Sequence, residues 1–276
     1  MPILSQIHVY PVKSLAGFQV DAWPVDKTGL RYDRKWMLVD AEGQFLSQRR
    51  LPRMALISTR ISAGQLILSA NGAVDFSLAL DEDRNAPALP VQIWKDNCLA
   101  HTISGAADQW LSRVLDYPCR LVYLPEHSIR PVDPNYALSS DETAFSDGFP
   151  FLLVSENSLH SLSAAVGQDL EMIRFRPNLV VAECEAYAED SWRRISINGI
   201  NFRLPKPCSR CQVPTIDPYT GQTGKEPLTT LARLRQWQHK VYFGQNVLHD
   251  GLGELVVGQA VLITETGAKQ PPLNIF

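Results

Sequence analysis

Asn198-Gly199, preceded by Ile195 and Ile197 and followed by Ile200 and Phe202, is the strongest hairpin signal in this chain. A two-residue turn of the favoured type needs positive φ at both central positions. Asn and Gly supply it, and the flanking apolar residues recur at the period of a half-buried strand. Similar punctuation fills the first third. Ile7 and Val9 alternate with His8 and Tyr10 until Pro11-Val12-Lys13-Ser14 breaks the run, and Val20 to Val25 carries Pro24, which predicts an edge or a bulge. Arg34 to Asp40 and Gly43 to Gln48 read as a hairpin around Ala41-Glu42-Gly43. Ala55 to Ile61, Leu66 to Ser69 and Phe76 to Leu80 follow, separated by Ala63-Gly64 and Asn71-Gly72. Strands this close together, with few helices between them, predict a barrel or sandwich rather than βαβ units.

Val91 to Trp94 and Cys98 to Ile103 form another predicted strand pair, and Cys119 to Leu124 returns to strand. Helical spacing is confined to three places. Trp110, Leu111, Val114 and Leu115 share a face over Gly105 to Leu115; Ser155 is a natural N-cap for a helix to about Ala165; and Pro227 opens a third, with Leu228, Leu231 and Leu234 as its buried side. Phe149 to Val154 and Leu179 to Val181 read as buried strands, Tyr242 to Leu248 and Leu255 to Ile263 as closing ones, and Glu185 to Asp190 as a surface loop. The expected fold class is therefore mainly β with a few helices (α+β). The polar, prolyl stretch from Pro125 to Gly148 is a linker or a functional loop. The predicted units are a β-rich N-terminal domain at 1–120 and a second domain at 121–276.

Composition removes several functions. A net charge of −3 over 276 residues leaves no basic footprint for nucleic acid, and no apolar run approaches the ~20 residues of a membrane span. Met1-Pro2-Ile3-Leu4 lacks the pattern of a secretory signal. Five cysteines, three of them scattered (Cys98, Cys119, Cys184), suit a reducing cytoplasm and buried small-hydrophobe roles. There is no phosphate-binding glycine loop, nucleophile elbow, H-E-x-x-H or plant-type iron–sulfur spacing, and the six histidines are isolated.

The remaining two cysteines lie in Lys206-Pro207-Cys208-Ser209-Arg210-Cys211, where flanking prolines oppose a helix and predict a fixed, extended loop. A single C-x-x-C offers two of the four ligands that structural zinc requires, and a redox dithiol normally caps a helix. A pair of inert buried cysteines stays open, though Arg210 between them makes it costly. The alternative is one reactive or metal-ligating thiolate supported by nearby cations. Lys13-Ser14, Arg34, Arg176 and Arg210 all sit beside turns, where each is either a solvated charge or an anion ligand. Asn178 would face the same side as Arg176 in an extended segment. Asp217, between Ile216 and Pro218, either orients something at the cysteine loop or forms a turn.

Taken in order, Tyr10-Pro11-Val12-Lys13-Ser14, Asp33-Arg34, Phe149 to Leu153, Phe175 to Val181, Glu189-Asp190-Ser191-Trp192 and Cys208-Ser209-Arg210-Cys211 resemble the MOSC family. The resemblance continues through Thr215, Asp217-Pro218, Gly224 to Leu228 and Phe243-Gly244-Gln245-Asn246, and is nearest to the YcbX-type and mitochondrial amidoxime-reducing branches. It implies a β-rich N-terminal domain packed on a MOSC β-barrel that binds the molybdenum cofactor. By the same resemblance Cys211 is the thiolate on the metal. Lys13, Ser14, Arg34, Arg176, Asn178, Ser209 and Arg210 surround the pterin and its phosphate, with Asp147 and Asn246 as further cofactor contacts. Cys211 and Asp217 are the residues expected at the chemistry. The implied function is a molybdenum-dependent oxidoreductase reducing small N-hydroxylated compounds. With no cysteine after Cys211, the chain is expected to hold no iron–sulfur cluster and to take electrons from a separate ferredoxin- or flavoprotein-type partner. The alternatives are a carrier of molybdenum cofactor without turnover, or a thiol-based sulfur-transfer protein.

Overall fold

In the computed structural model, which describes residues 1–80 and 86–272, the N-terminal alternating run forms the strand Ile3–Val9. It pairs antiparallel with Phe18–Val20 on one side and with Leu179–Ala182 on the other, so it is built into a sheet made mostly by the second half of the chain. The sheet runs Val261–Thr266, Trp192–Ile197, Ile200–Ser209, Lys240–His249, Phe151–Ser155, Leu179–Ala182, Ile3–Val9, Phe18–Val20. Hydrogen bonds from Leu4 N to Gln259 O (2.9 Å) and Val261 N to Pro2 O (2.8 Å), with an Ile3–Ala260 bridge, curl its far edge round to the first strand. The result is a partly closed barrel.

Phe151–Ser155 shows why the run before Ser155 is continuously apolar. Phe151 and Leu153 point into the barrel beside Leu4, Ile7 and Phe202, while Leu152 and Val154 point the other way, against Leu159, Leu162 and Leu231. Side chains alternate along a strand, so one covered on both faces needs no polar positions. Each such leucine contributes about 1.5–3 kcal/mol by burial. The outer layer is two helices, α2 (Glu156–Val166) and α3 (Leu228–Arg235). Ser155 Oγ accepts from Ser158 N at 3.1 Å and caps α2. Gly167, at φ +79, stops it in the left-handed conformation. Since Phe151–Ser155 and Leu179–Ala182 are parallel neighbours, the chain does contain one βαβ unit.

The first half adds a four-stranded sheet (Trp36–Val39, Arg120–Tyr123, Asp96–Thr102, Ala88–Ile93) and a three-stranded one (Ser58–Ser62, Gln65–Ser69, Phe76–Ala79). The helix α1 (Gly105–Leu115), capped by Ser104, packs Ala107, Leu111 and Leu115 against Leu66, Leu68 and Leu121. A last small sheet joins Gly253–Val256 to Ala22–Asp26 and Gly29–Leu30. Pro24 lies in the middle strand, yet only one ladder reaches it, opposite Glu254; the other begins at Val25.

Several expectations fail for long-range reasons. The hairpin around Ala41-Glu42-Gly43 forms but is short: Asp40 N donates to Gln44 O (2.9 Å), Leu46 N donates to Leu38 O (2.8 Å) and Val39 bridges Phe45, and the arm ends before Ser47 and Gln48. Leu255 to Ile263 splits into Gly253–Val256 and Val261–Thr266. Lys206 to Ser209 is the end of a bulged strand rather than a loop, with register shifts where Pro205 and Pro207 deny ladder donors. On α3, Leu234 is 50% exposed and Arg235 is buried in its place. Arg235 is drawn inward by Asp190, so Glu189 and Asp190 are buried and not on a surface loop.

His8 is buried on the first strand, its Nε2 2.8 Å from Gln6 Oε1. Burial lowers its pKa from 6.5 to about 4. The unfolded chain therefore binds the extra proton between those values. Stability is full above about pH 6.5 and falls as the pH drops towards 4, by up to roughly 3 kcal/mol. His8→Gln should flatten the acid limb of a melting-temperature profile over that window; an unchanged limb would assign the loss to other groups.

Candidate functional site

The turn after the first strand and the end of Ile200–Ser209 meet at a crevice of about 140 Å³. Lys13, Ser14, Arg34, Asp147, Arg176, Asn178, Ser209, Arg210, Cys211 and Asn246 all line it. Three of these hold left-handed backbone: Ser14 at φ +68, Arg34 at φ +49 and Arg176 at φ +55. For a residue with a Cβ that conformation costs on the order of 1 kcal/mol or more, and such outliers cluster where function holds them. Arg176 thus reaches the crevice from the end of a 3₁₀ turn, Met172–Phe175, and not from an extended strand.

Buried acceptors fix the guanidinium groups. Asp33 takes Tyr10 N on one oxygen (2.8 Å) and Arg34 Nη1 on the other (2.5 Å). Arg34 Nη1 also reaches Asn178 Oδ1 (3.0 Å), and Nη2 reaches Arg176 O (3.2 Å). Asn178 Oδ1 accepts from Leu152 N and its Nδ2 donates to His8 O, both at 3.2 Å. Its amide is thereby committed to positioning Arg34 and the backbone around it. Arg176 Nη1 donates to Leu15 O (2.7 Å), and Arg176 and Arg34 lie 4.3 and 4.5 Å from the Tyr10 ring centroid. Arg210 spans Phe175 O (2.7 Å) and Cys208 Sγ (3.1 Å). Asn246 Nδ2 donates to Pro207 O at 3.2 Å.

Among the described residues that line the crevice, two buried donors are left over. Arg176 Nη2 and Arg210 Nε are buried and have no partner. Donors that water cannot reach are costly unless a ligand satisfies them. Five lining cations (Lys13, Arg34, Arg49, Arg176, Arg210) face the single lining carboxylate of Asp147, so an anion fits the demand. Burial pulls the Lys13 ammonium down to about 8, against the Asp147 carboxylate 2.5 Å away. Burial and crowding by Arg34 pull Arg176 down to about 10. The crevice walls push Asp147 upward, but Lys13, Arg49 and the Trp94 N–H outweigh them and keep it well below the usual carboxylate range.

Asp217 is not among the lining residues. Its Oδ1 accepts from Tyr219 N and Thr220 N (3.0 and 2.9 Å), and its Oδ2 from Arg174 Nη2 (2.7 Å). That is the turn-forming role. Ser47, Gln48, Arg49 and Phe149 line the crevice without having been nominated. Gln48 Nε2 holds Ser14 O at 2.7 Å, and Arg49 lies 4.1 Å from the Trp94 ring centroid. The only sequence signal for Ser47, Gln48 and Arg49 was the polar run Ser47-Gln48-Arg49-Arg50, whereas Phe149 opened an apolar run read as a buried strand.

A second cleft, of about 620 Å³, is roomier, yet its charges are paired internally: Lys27 with Glu142 (2.6 Å), and Arg203 with Asp141 and Asp250 (both 2.7 Å). Unsatisfied donors, and not volume, single out the first. Among the described residues no group of three or more His, Cys, Asp or Glu is placed to hold a metal ion.

Comparison with known proteins supplies context for this geometry. The family described as "MOSC N-terminal beta barrel domain" matches residues 1–118, and that described as "MOSC domain" matches residues 140–262. The human protein named mitochondrial amidoxime-reducing component 1 is 33% identical, over 94% of this chain and 82% of its own length. Its zebrafish (Danio rerio) namesake is 30% identical over 94% and 84%. Molybdenum cofactor sulfurase of Solanum lycopersicum is 34% identical over 87% of this chain, which spans only 32% of that relative.

Proposed function

The chain belongs to the MOSC-domain family, and from that premise we propose that it binds a molybdenum–pterin cofactor in the crevice and reduces N-hydroxylated compounds, with electrons from a separate protein. The observation that carries this reading is the pair of buried, unpartnered guanidinium donors, Arg176 Nη2 and Arg210 Nε, on two residues that line the same crevice as Cys211. A phosphorylated, thiolate-bound group would satisfy both. We place a β-rich unit at 1–120 and the cofactor-binding unit at 121–276, with the first strand as a contribution of the former to the barrel of the latter. Relatives named for amidoxime reduction support the reductase reading.

In this reading Cys211 would hold the metal, a soft thiolate being a suitable ligand for it. Lys13, Ser14, Arg34, Arg176, Ser209 and Arg210 would surround the pterin and its phosphate, Arg being the side chain for bidentate phosphate recognition. Asp147 and Asn246 would add contacts, while Asn178 positions Arg34. The cofactor, when bound, would supply the two-electron chemistry. The chain's own part is to orient and to hold charge. Asp33 and Asn178 fix Arg34, the Tyr10 ring backs Arg34 and Arg176, and the buried Lys13 Nζ keeps a proton on the crevice wall up to about pH 8. The reaction consumes two protons and two electrons, converting R–NHOH to R–NH₂ and water.

A host that makes the cofactor should yield protein with near-stoichiometric molybdenum that reduces benzamidoxime with artificial donors. Metal-free protein from such a host would overturn the proposal. Two sulfurs in one crevice, with Arg210 on Cys208, also suit a cofactor or sulfur carrier. Loaded protein that turns nothing over yet passes its cofactor to an apo-enzyme would decide for the carrier.

A further inference from the structure

The two rims of the crevice are not equivalent. On one, Trp94 is already engaged: its N–H donates to Asp147 Oδ1 (3.2 Å), Arg49 stands against its ring, and Phe45 packs at 4.8 Å. On the other, Phe149 lines the crevice and meets Tyr136 in a T-shaped contact, with centroids 6.3 Å apart. Lys206 Nζ lies 4.1 Å from the Tyr136 centroid and 5.5 Å from that of Phe149. Lys206 makes no ion pair with any described residue. Asp133, the carboxylate that acts on it through space, accepts from Asn135 N and Nδ2 (3.0 and 2.9 Å). Nor is Lys206 one of the cations lining the crevice, so its ammonium is not among those a cofactor bound there would engage.

We propose that Phe149, Tyr136 and Lys206 form the subsite for the organic part of the substrate, and that it selects a flat aromatic ring bearing an acidic group. This rests on the reductase reading. A planar ring stacks on an aromatic side chain at little entropic cost, and an ammonium held over the same rings meets a carboxylate or phosphate at the ring's far end. Rings hold Lys206 Nζ in place without neutralising it, since a cation–π contact leaves the full charge available.

Holoprotein titrated calorimetrically with two product analogues tests the subsite directly. 4-Amidinobenzoate should bind about tenfold tighter than benzamidine. Lys206→Met should erase that difference, Phe149→Ala should weaken both ligands, and Lys240→Met, a nearby exposed cation, should leave the preference intact. Molybdenum content checks that each variant is assembled. Equal affinity for the two analogues, or a preference surviving Lys206→Met, would overturn the assignment. Turnover of the matching amidoximes is read separately. Inactivity towards both in the wild-type protein overturns the reductase reading and leaves the binding result to decide the subsite. With turnover, the preference should appear in KM and not in kcat.

Discussion

Cys211→Ser should empty the protein of molybdenum, with metal content under about a tenth of the wild-type value and loss of any N-hydroxyl reduction. Changes to groups that merely support a metal ligand cost about 10–100-fold in affinity, and removing the thiolate itself should cost at least that. Cys208→Ser should keep most of the metal. The Cys208 sulfur accepts from Arg210 Nη1 at 3.1 Å, and a serine hydroxyl can replace it as acceptor. The pair is the discriminating experiment because both cysteines line the same crevice. Metal retained at wild-type stoichiometry in Cys211→Ser would remove the thiolate from the site's chemistry. Equal losses in both variants would instead favour a two-sulfur arrangement.

Asp190→Ala should be the most destabilising change away from the crevice, at about 3–5 kcal/mol, or roughly 10 °C in melting temperature. Asp190 is 2% exposed. Its two oxygens take Arg235 Nη2 at 3.0 and 2.8 Å, and Oδ1 also takes Gln245 Nε2 at 2.9 Å. Arg235 in turn donates from Nε to Tyr242 O (3.1 Å) and lies 4.2 Å from the Tyr187 ring centroid. Removing the carboxylate leaves a buried guanidinium and a buried amide without their acceptor, which costs more than the pair itself is worth. Asp190→Leu combined with Arg235→Met should therefore recover much of the loss. Chemical denaturation of the three proteins measures both effects. A single variant within 1 kcal/mol of wild type would show that water reaches Arg235.

Local chemistry was enough for elements whose determinants lie within a few residues. Ser104 and Ser155 mark the starts of α1 and α2 because a cap is a contact from residue i to i+3. Asn198-Gly199 closes its hairpin with Asn198 at φ +50 and Gly199 at φ +77, the conformation the dipeptide announces. Four of the five crevice cations, Lys13, Arg34, Arg176 and Arg210, could be nominated because each lies beside turn or loop residues, Lys13 after Pro11, Arg176 before Pro177 and Arg210 within the cysteine segment. Gln48 and Arg49 could not, since their run read as the end of a hairpin arm, and that arm stops at Leu46.

Asp217 and Asp190 separate the two kinds of information. Both are acidic residues in irregular segments, and nothing local distinguishes one that organises its own turn from one that anchors another element. Asp217 closes a turn on Tyr219 and Thr220, whereas Asp190 reaches Arg235, whose place on α3 depends on how the helix lies across Lys240–His249. The residue types, their strand and helix periods and their caps follow from short-range sterics and hydrogen bonding, and these the chain carries in its order. Which charge is buried, and which guanidinium keeps a donor free for a ligand, follows from desolvation. Desolvation is set by neighbours distant in the chain: the family resemblance already grouped Arg176 and Arg210 with Cys211, but the free donors on those two guanidiniums and the place of Asp217 outside the crevice come from the packed structure.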